Sequence, residues 1–285
     1  MKTNKSLLVS LFFSSLFLAI GWGCSSLLYY PSQVHYVRAE NLNPSPETVS
    51  FQLKNKLEIQ GWYFRSKKKP SRARVLFFHG NGQNRFAHFV ALFWLVQQGY
   101  DLVIFDYPGY GTSGGKPTPS NTVESAVESI RYVSQLKPSL PLVVYGHSLG
   151  GIVAMRAVWE LRSEIEPSLL VVDSSFLSYQ RIARRVMSQS FWTWCFQPLA
   201  YLVLSDRWAM GQRMGDLLGI EKVIIHSRKD EVIPFDFGEA IFNSASSPKE
   251  FWVKESGKHH ESFSNPEGML LKERLLEKLN LVLQK

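Results

Sequence analysis

Three residue types at suggestive positions carry a chemical reading of this chain: a serine between glycines, a later aspartate and a still later histidine. Gly146-His-Ser-Leu-Gly150 fits G-x-S-x-G. With glycine at about 7% of positions, that pattern arises by chance in roughly one chain in ten of this length, so its context must decide. It directly follows the apolar run Leu142–Tyr145 and opens a helical stretch, the strand-turn-helix setting such a serine requires. A serine hydroxyl is a poor nucleophile until a base takes its proton, and the base needs a carboxylate to hold its tautomer. Ser148, Asp230 and His259 supply nucleophile, acid and base in the chain order Ser, acid, His. All three are expected at carboxyl ends of strands.

Acyl transfer also needs donors for a developing oxyanion. Ser148 is expected at a helix N-terminus, where unpaired N–H groups carry partial positive charge, so the N–H of Leu149 is one donor. The turn His79-Gly-Asn-Gly82 after the first parallel strand offers the other, the N–H of Asn81. Gly146 and Gly150 are read as positions where neighbours crowd out any Cβ.

Rival residues stay in view. His260 adjoins His259 and shares its reading as base, Asp173 ends its own strand and competes as the acid, and Glu231 is a further candidate. His79, His147 and His226 read as histidines hydrogen-bonded near strand ends, and Cys195 as a buried or cap thiol without a nucleophile's signature. The glycine-rich stretch Asp106–Gly114 lacks the G-x-x-x-x-G-K-[ST] spacing of a phosphate cradle and reads as a structural turn beside the site.

The elements that must position these residues follow from apolar patterning. Past their first residues, the runs at 74–78, 101–105, 141–145, 169–172 and 222–225 are continuously apolar and rich in β-branched and aromatic residues, as strands are when both faces of a parallel sheet are buried. Helices are expected over 84–98, 120–137 and 149–162, each long enough for a right-handed crossover. A leading antiparallel pair over 50–55 and 57–64, a last strand over 250–254 and a C-terminal helix from about Pro266 complete a doubly wound α/β arrangement. From about 176 to 219 no strand run appears. Trp192, Trp194, Tyr201 and Trp208 gather there with Arg181, Arg184, Arg185 and Arg207, and an insertion at this side of a sheet is the usual place for a cap over a site. Helical packing alone also accounts for aromatic residues in such a stretch.

With 285 residues, 45% hydrophobic and 20% charged, the chain can bury a sizeable core without disulfides or metal. One catalytic domain over 31–285 is the economical reading. Cys24 and Cys195 are the only cysteines, and no His/Cys cluster has zinc-ligand spacing. No cofactor or metal is implied. The net charge of +8 and the basic run Arg65–Arg74 come without any nucleic-acid-binding signature, so no nucleic-acid partner is expected. The run reads as a solvated loop or as a contact for anionic lipid headgroups, worth about 1 kcal/mol per basic residue.

Lys2 and Lys5 precede a segment, Ser6–Val34, without charged side chains. Its apolar centre, Leu7–Ile20, has the length of a signal-peptide core, and including Leu27 and Leu28 makes it long enough to span a bilayer. Gly21-Trp-Gly-Cys24 partly matches a lipoprotein signal, with Gly21 where leucine is usual. Lipid anchor at Cys24, uncleaved single span and cleaved signal all stand. The first two place the protein at a membrane. Residues 1–30 are left out of the expected fold.

Taken together, His79-Gly-Asn-Gly, Asp106-Tyr-Pro-Gly-Tyr-Gly-Thr-Ser-Gly, Gly146-His-Ser-Leu-Gly-Gly, Asp230-Glu-Val-Ile-Pro234 and Gly257-Lys-His259 resemble the α/β-hydrolase superfamily. The likeness is to its membrane-anchored subgroup of bacterial hydrolases and depalmitoylase-like relatives, and it covers about residues 50 to 265. The resemblance implies an α/β-hydrolase fold with a helical cap, hydrolysis of acyl esters or thioesters, and Ser148, Asp230 and His259 as the triad. The family pattern also favours His259 over His260, by its place two residues after Gly257. Lys258 departs from it, because a small residue is more usual there.

Overall fold

The computed structural model describes residues 28–284 apart from 190 and 196. Residues 1–27 of the expected leader, with Lys2, Lys5, the apolar centre and Cys24, lie outside the described residues. Among the described residues no helix is long and apolar enough to cross a membrane.

An eight-stranded sheet organises the molecule, in the order β1-β2-β4-β3-β5-β6-β7-β8. The strands are β1 (Glu47–Gln52), β2 (Glu58–Phe64), β3 (Ala73–Phe78), β4 (Tyr100–Phe105), β5 (Leu142–His147), β6 (Leu169–Asp173), β7 (Lys222–Ser227) and β8 (Lys249–Lys254). β1 and β2 pair antiparallel, β2 joins β4 antiparallel, and every pairing from β4 through β8 is parallel. The expected runs lie within these strands except Pro141, and each parallel strand extends the run by one or two residues.

Period-two alternation within β3 explains the uninterrupted apolar runs. Leu76 and Phe78 enter one core and Val75 and Phe77 the other, and Val144 and Tyr145 of β5 divide in the same way. Helices cover both faces. Ala126, Ile130 and Val133 of α3 (Pro119–Leu136) and Ile152 and Met155 of α4 (Leu149–Glu160) fill the first core. Leu92, Leu95 and Val96 of α2 (Val90–Gln97) and Leu271, Leu275 and Leu279 of α9 (Pro266–Val282) fill the second. Each valine, leucine, isoleucine or methionine among them stabilises the fold by about 1.5–3 kcal/mol on burial.

Local signals explain where helices begin. Thr118 accepts from Asn121 N (3.2 Å) while Asn121 Oδ1 accepts from Thr118 N (2.8 Å), a capping box with Pro119 in the first turn. The single helix expected over 84–98 is two, α1 (Arg85–His88) and α2, interrupted at Phe89, whose backbone stays right-handed helical. Between β6 and β7 run α5 (Tyr179–Ser188), α6 (Phe191–Trp194) and α7 (Leu199–Val203). Between β7 and β8 lies α8 (Phe235–Ser244), for which the sequence reading had no expectation.

Two expectations change in three dimensions. The run Arg65–Arg74 is not uniformly solvated: Lys67, Lys68 and Lys69 are exposed, but Arg74 is buried and donates to the carbonyls of Val133 and Leu140. Tyr29, inside the span assigned to the leader, is buried in the first core. Asn81 straps this segment down, its Oδ1 accepting from Tyr30 N (2.9 Å) and its Nδ2 donating to Leu28 O (2.9 Å).

Candidate active site

Ser148 stands between the last residue of β5 and the first of α4, with φ 55° and ψ −118°. That conformation costs a non-glycine residue about 1–3 kcal/mol and persists only where surroundings impose it. The surroundings are the glycines. A Cβ on Gly150 would lie 1.9 Å from Phe78 O, and one on Gly146 would lie 2.4 Å from Gly150 O. The turn is further tied by Ser148 N donating to Asp173 O (2.9 Å) and by Ser175 Oγ donating to Ser148 O (2.7 Å).

Asp230 lies three residues past β7 and His259 five past β8, and both are buried. His259 Nδ1 is 2.8 Å from Asp230 Oδ2. Asp230 Oδ1 accepts from the N–H groups of Val232 (2.9 Å) and Ile233 (2.8 Å), which fixes the carboxylate. Burial alone would raise the Asp230 pKa, but the His259 hydrogen bond and charge and the Ile233 N–H outweigh it and hold the carboxyl below its usual range. Burial also pushes His259 below the ordinary histidine value, and Asp230 only partly offsets that.

The family model described as serine aminopeptidase, S33, matches residues 69–207. The Escherichia coli (strain K12) protein YfhR is 28% identical over 262 residues, covering 88% of this chain and 86% of that one. The lysophosphatidylserine lipase ABHD12 of Gallus gallus is 27% identical over 185 residues, 62% of this chain and 48% of its own length. Among solved structures, the Pyrococcus furiosus esterase Pf2001 superposes with a TM-score of 0.69 at 18% identity, covering 90% of this chain and 97% of that one. Est1E from Butyrivibrio proteoclasticus, bound to ferulic acid, does so with a TM-score of 0.65 at 16% identity, over 83% and 100%. The chain has the α/β-hydrolase fold.

Within this fold, the structure brings Asp230 and His259 into direct contact, while Ser148 directly follows His147 at the end of β5. The His147 and His259 rings are 5.0 Å apart between centroids. No hydrogen bond among the described residues links Ser148 Oγ to an imidazole, and such contacts often tighten only with substrate present. Leu149 opens α4, so its N–H has no partner within the helix. Asn81 belongs to the loop that also carries the strap, and Tyr110 OH donates to its side chain (2.6 Å).

The rivals separate. Glu231 accepts from His259 N (3.2 Å) instead of facing the ring. His260 is exposed and lies 3.2 Å, Nδ1 to Nε2, from His147. Partial burial and the imidazoles of His147 and His259 push it down to about 4. Asp173 sits against His147, its Oδ2 3.5 Å from Nδ1, and accepts from Tyr145 OH (2.7 Å) and Ser262 Oγ (2.9 Å). His226 Nε2 is 2.8 Å from Ile233 O, and His79 Nδ1 is 2.7 Å from Gly80 O, in keeping with structural roles. Asp106 pairs with Arg85 and takes its N–H (2.6 Å), so the glycine-rich loop is anchored beside the site. Lys258, the departure from the family pattern, is exposed and leaves the buried His259 undisturbed. Cys195 is a free, exposed thiol.

Sequence reasoning treated His147 as an ordinary strand-end histidine. The structure gives it a buried carboxylate on one side and His260 on the other, and the signal was the histidine inside G-x-S-x-G together with the doubled histidine at 259–260. A cavity of about 720 Å³ opens beside this cluster, lined by Asn81, His88, Trp94, His147, His260 and Phe263 among others. Ser148 and His259 are not part of its lining.

Proposed function

We propose that the chain is a serine hydrolase that cleaves carboxylic esters or thioesters through an acyl-enzyme. The observation that carries this is the buried Asp230–His259 pair, 2.8 Å apart, in a chain that also holds a serine at φ 55° on a strand-to-helix turn. Ser148 attacks the acyl carbonyl, His259 takes its proton and later protonates the leaving group, and Asp230 keeps Nδ1 protonated and offsets the imidazolium charge. The N–H groups of Asn81 and Leu149 receive the oxyanion. Removing one such donor typically costs about 100- to 1,000-fold in rate. Activities named for similar proteins, a lysophospholipid lipase and an esterase, favour an ester substrate. The walls of the cavity supplied by Trp94, Phe263 and Met269 suit an apolar group.

A membrane location fits the same substrate class. The N-terminal segment is a lipid anchor at Cys24 or a single span, and the helices between β6 and β7 form a cap whose exposed Trp192, Trp194 and Leu202 face an acyl-bearing surface. Mass spectrometry of the mature N-terminus separates the two anchors.

The decisive test is fluorophosphonate labelling with p-nitrophenyl ester turnover in wild type and Ser148→Ala. Labelling should vanish and turnover fall by about a millionfold in the variant. An unchanged rate removes Ser148 from the mechanism. Because the matching family model is described as a serine aminopeptidase, aminoacyl p-nitroanilides should be assayed in parallel. Faster turnover of these amides than of esters would replace the esterase reading with a peptidase one.

A further inference from the structure

His147, His259 and His260 each place one ligand-capable ring nitrogen within 4.8 Å of the other two. His147 Nε2 and His260 Nδ1 are 3.2 Å apart, close to the ~3.3 Å separating two donors on a tetrahedral zinc with bonds of about 2.0 Å. The remaining nitrogens of two rings are already engaged. His147 Nδ1 faces Asp173 at 3.5 Å, and His259 Nδ1 faces Asp230 at 2.8 Å, which leaves Nε2 on each to meet an ion, the His147–His260 hydrogen bond being given up as the ion enters. A carboxylate behind an imidazole is how metal-binding histidines are oriented and made better donors. Asp173 is itself held by Tyr145, Ser174 and Ser262, so the outer arrangement is rigid before any ion arrives. His147 and His260 line the cavity and His260 is exposed, giving an ion a route from solvent. Three imidazoles with a fourth position open to water suit zinc and its neighbours better than calcium or magnesium, which seek oxygen.

We infer that His147, His259 and His260 form a transition-metal site that binds Zn2+, and that its occupancy switches the hydrolase off. Binding forms a dative bond from His259 Nε2 to the ion, and the lone pair that would accept the Ser148 proton is no longer available. The inhibitory half rests on the proposed role of His259, whereas the binding half does not.

The test uses tag-free, full-length chain in detergent. Co2+ is titrated while its visible absorption is followed, and Zn2+ then competes it out. One equivalent should bind per chain. The His260→Ala and His147→Gln variants should each lose at least about 100-fold in Zn2+ affinity, and Asp173→Asn about 10- to 100-fold as an outer partner. Circular dichroism verifies folding, and His260→Ala, at an exposed position, keeps the test valid if the buried variants unfold. Binding that fails to appear at millimolar metal, or that persists unchanged in His260→Ala, overturns the site. Ester turnover should fall in step with Zn2+ occupancy and return with EDTA. Full turnover at full occupancy overturns the inhibition. An absence of turnover at every metal concentration would instead count against the hydrolase reading and leave the spectroscopic result intact.

Discussion

Asp230 serves two neighbours with its two oxygens: Oδ1 takes the backbone N–H groups of Val232 and Ile233, and Oδ2 meets His259. Its replacement by asparagine preserves shape but presents the wrong group to Nδ1, so Asp230→Asn should lower kcat by about 10,000-fold with little change in melting temperature. His259→Ala should cost about a millionfold, while His260→Ala, whose ring has no carboxylate partner, should retain most turnover. Equal losses in the two histidine variants would remove the distinction. The direction of the His259 shift fixes the pH dependence as well. Burial lowers its pKa below 6.5, so the proposed base is mainly neutral at pH 7. Activity is lost only as the pH falls through that lowered value. A pH profile of kcat/KM should therefore show an acid limb with its midpoint below 6.5, and a midpoint at or above 6.5 would contradict this.

At the scale of the element, the β5–α4 turn decides whether there is a site at all. Crowding there is backbone against backbone: the position a Gly150 Cβ would occupy lies within 2.6 Å of both Phe78 O and His79 O. Neither carbonyl can move without displacing the end of β3, so Gly150→Ala should destabilise the protein by about 3 kcal/mol or more, at the upper end for overpacking. A urea melt measures this, and a loss below about 1 kcal/mol would show that the turn can yield. α4 follows the serine without a side-chain cap, so the serine hydroxyl does not close the helix end.

Across the whole molecule, strands β3 to β7 are buried on both faces and polar support sits at strand ends. Asp101, fully buried at the start of β4, accepts from Tyr63 OH, Ser66 N and Ser71 Oγ and pairs with Lys137. Asp101→Ala leaves those donors unanswered and should cost about 3–5 kcal/mol, read from denaturant midpoints. The N-terminal strap joins the same whole. A chain lacking residues 1–36 also loses buried Tyr29 and should be less stable than one lacking only residues 1–27 by about 3–5 kcal/mol, the usual range for losing a large buried aromatic. Equal midpoints for the two truncations would show that the strap contributes nothing.

Much of this was legible in the chain itself. Strands buried on both faces lose polar alternation, so β3 to β7 could be read as runs. The serine motif is local, so its turn could be placed to the residue. Local patterning could not choose between Asp173 and Asp230, because each stands at or just past the end of a parallel strand. That choice falls to the loops after β7 and β8, which bring Asp230 to His259 and leave Asp173 to His147. Nor could spacing reveal the histidine cluster, since His147 and His260 are 113 residues apart in sequence and meet only because β5 and β8 end at the same rim of the sheet. Tyr29 and Arg74 show the same limit. An apolar leader and a basic run look alike whether exposed or buried, and burial is decided by contacts with distant segments that only the folded chain supplies.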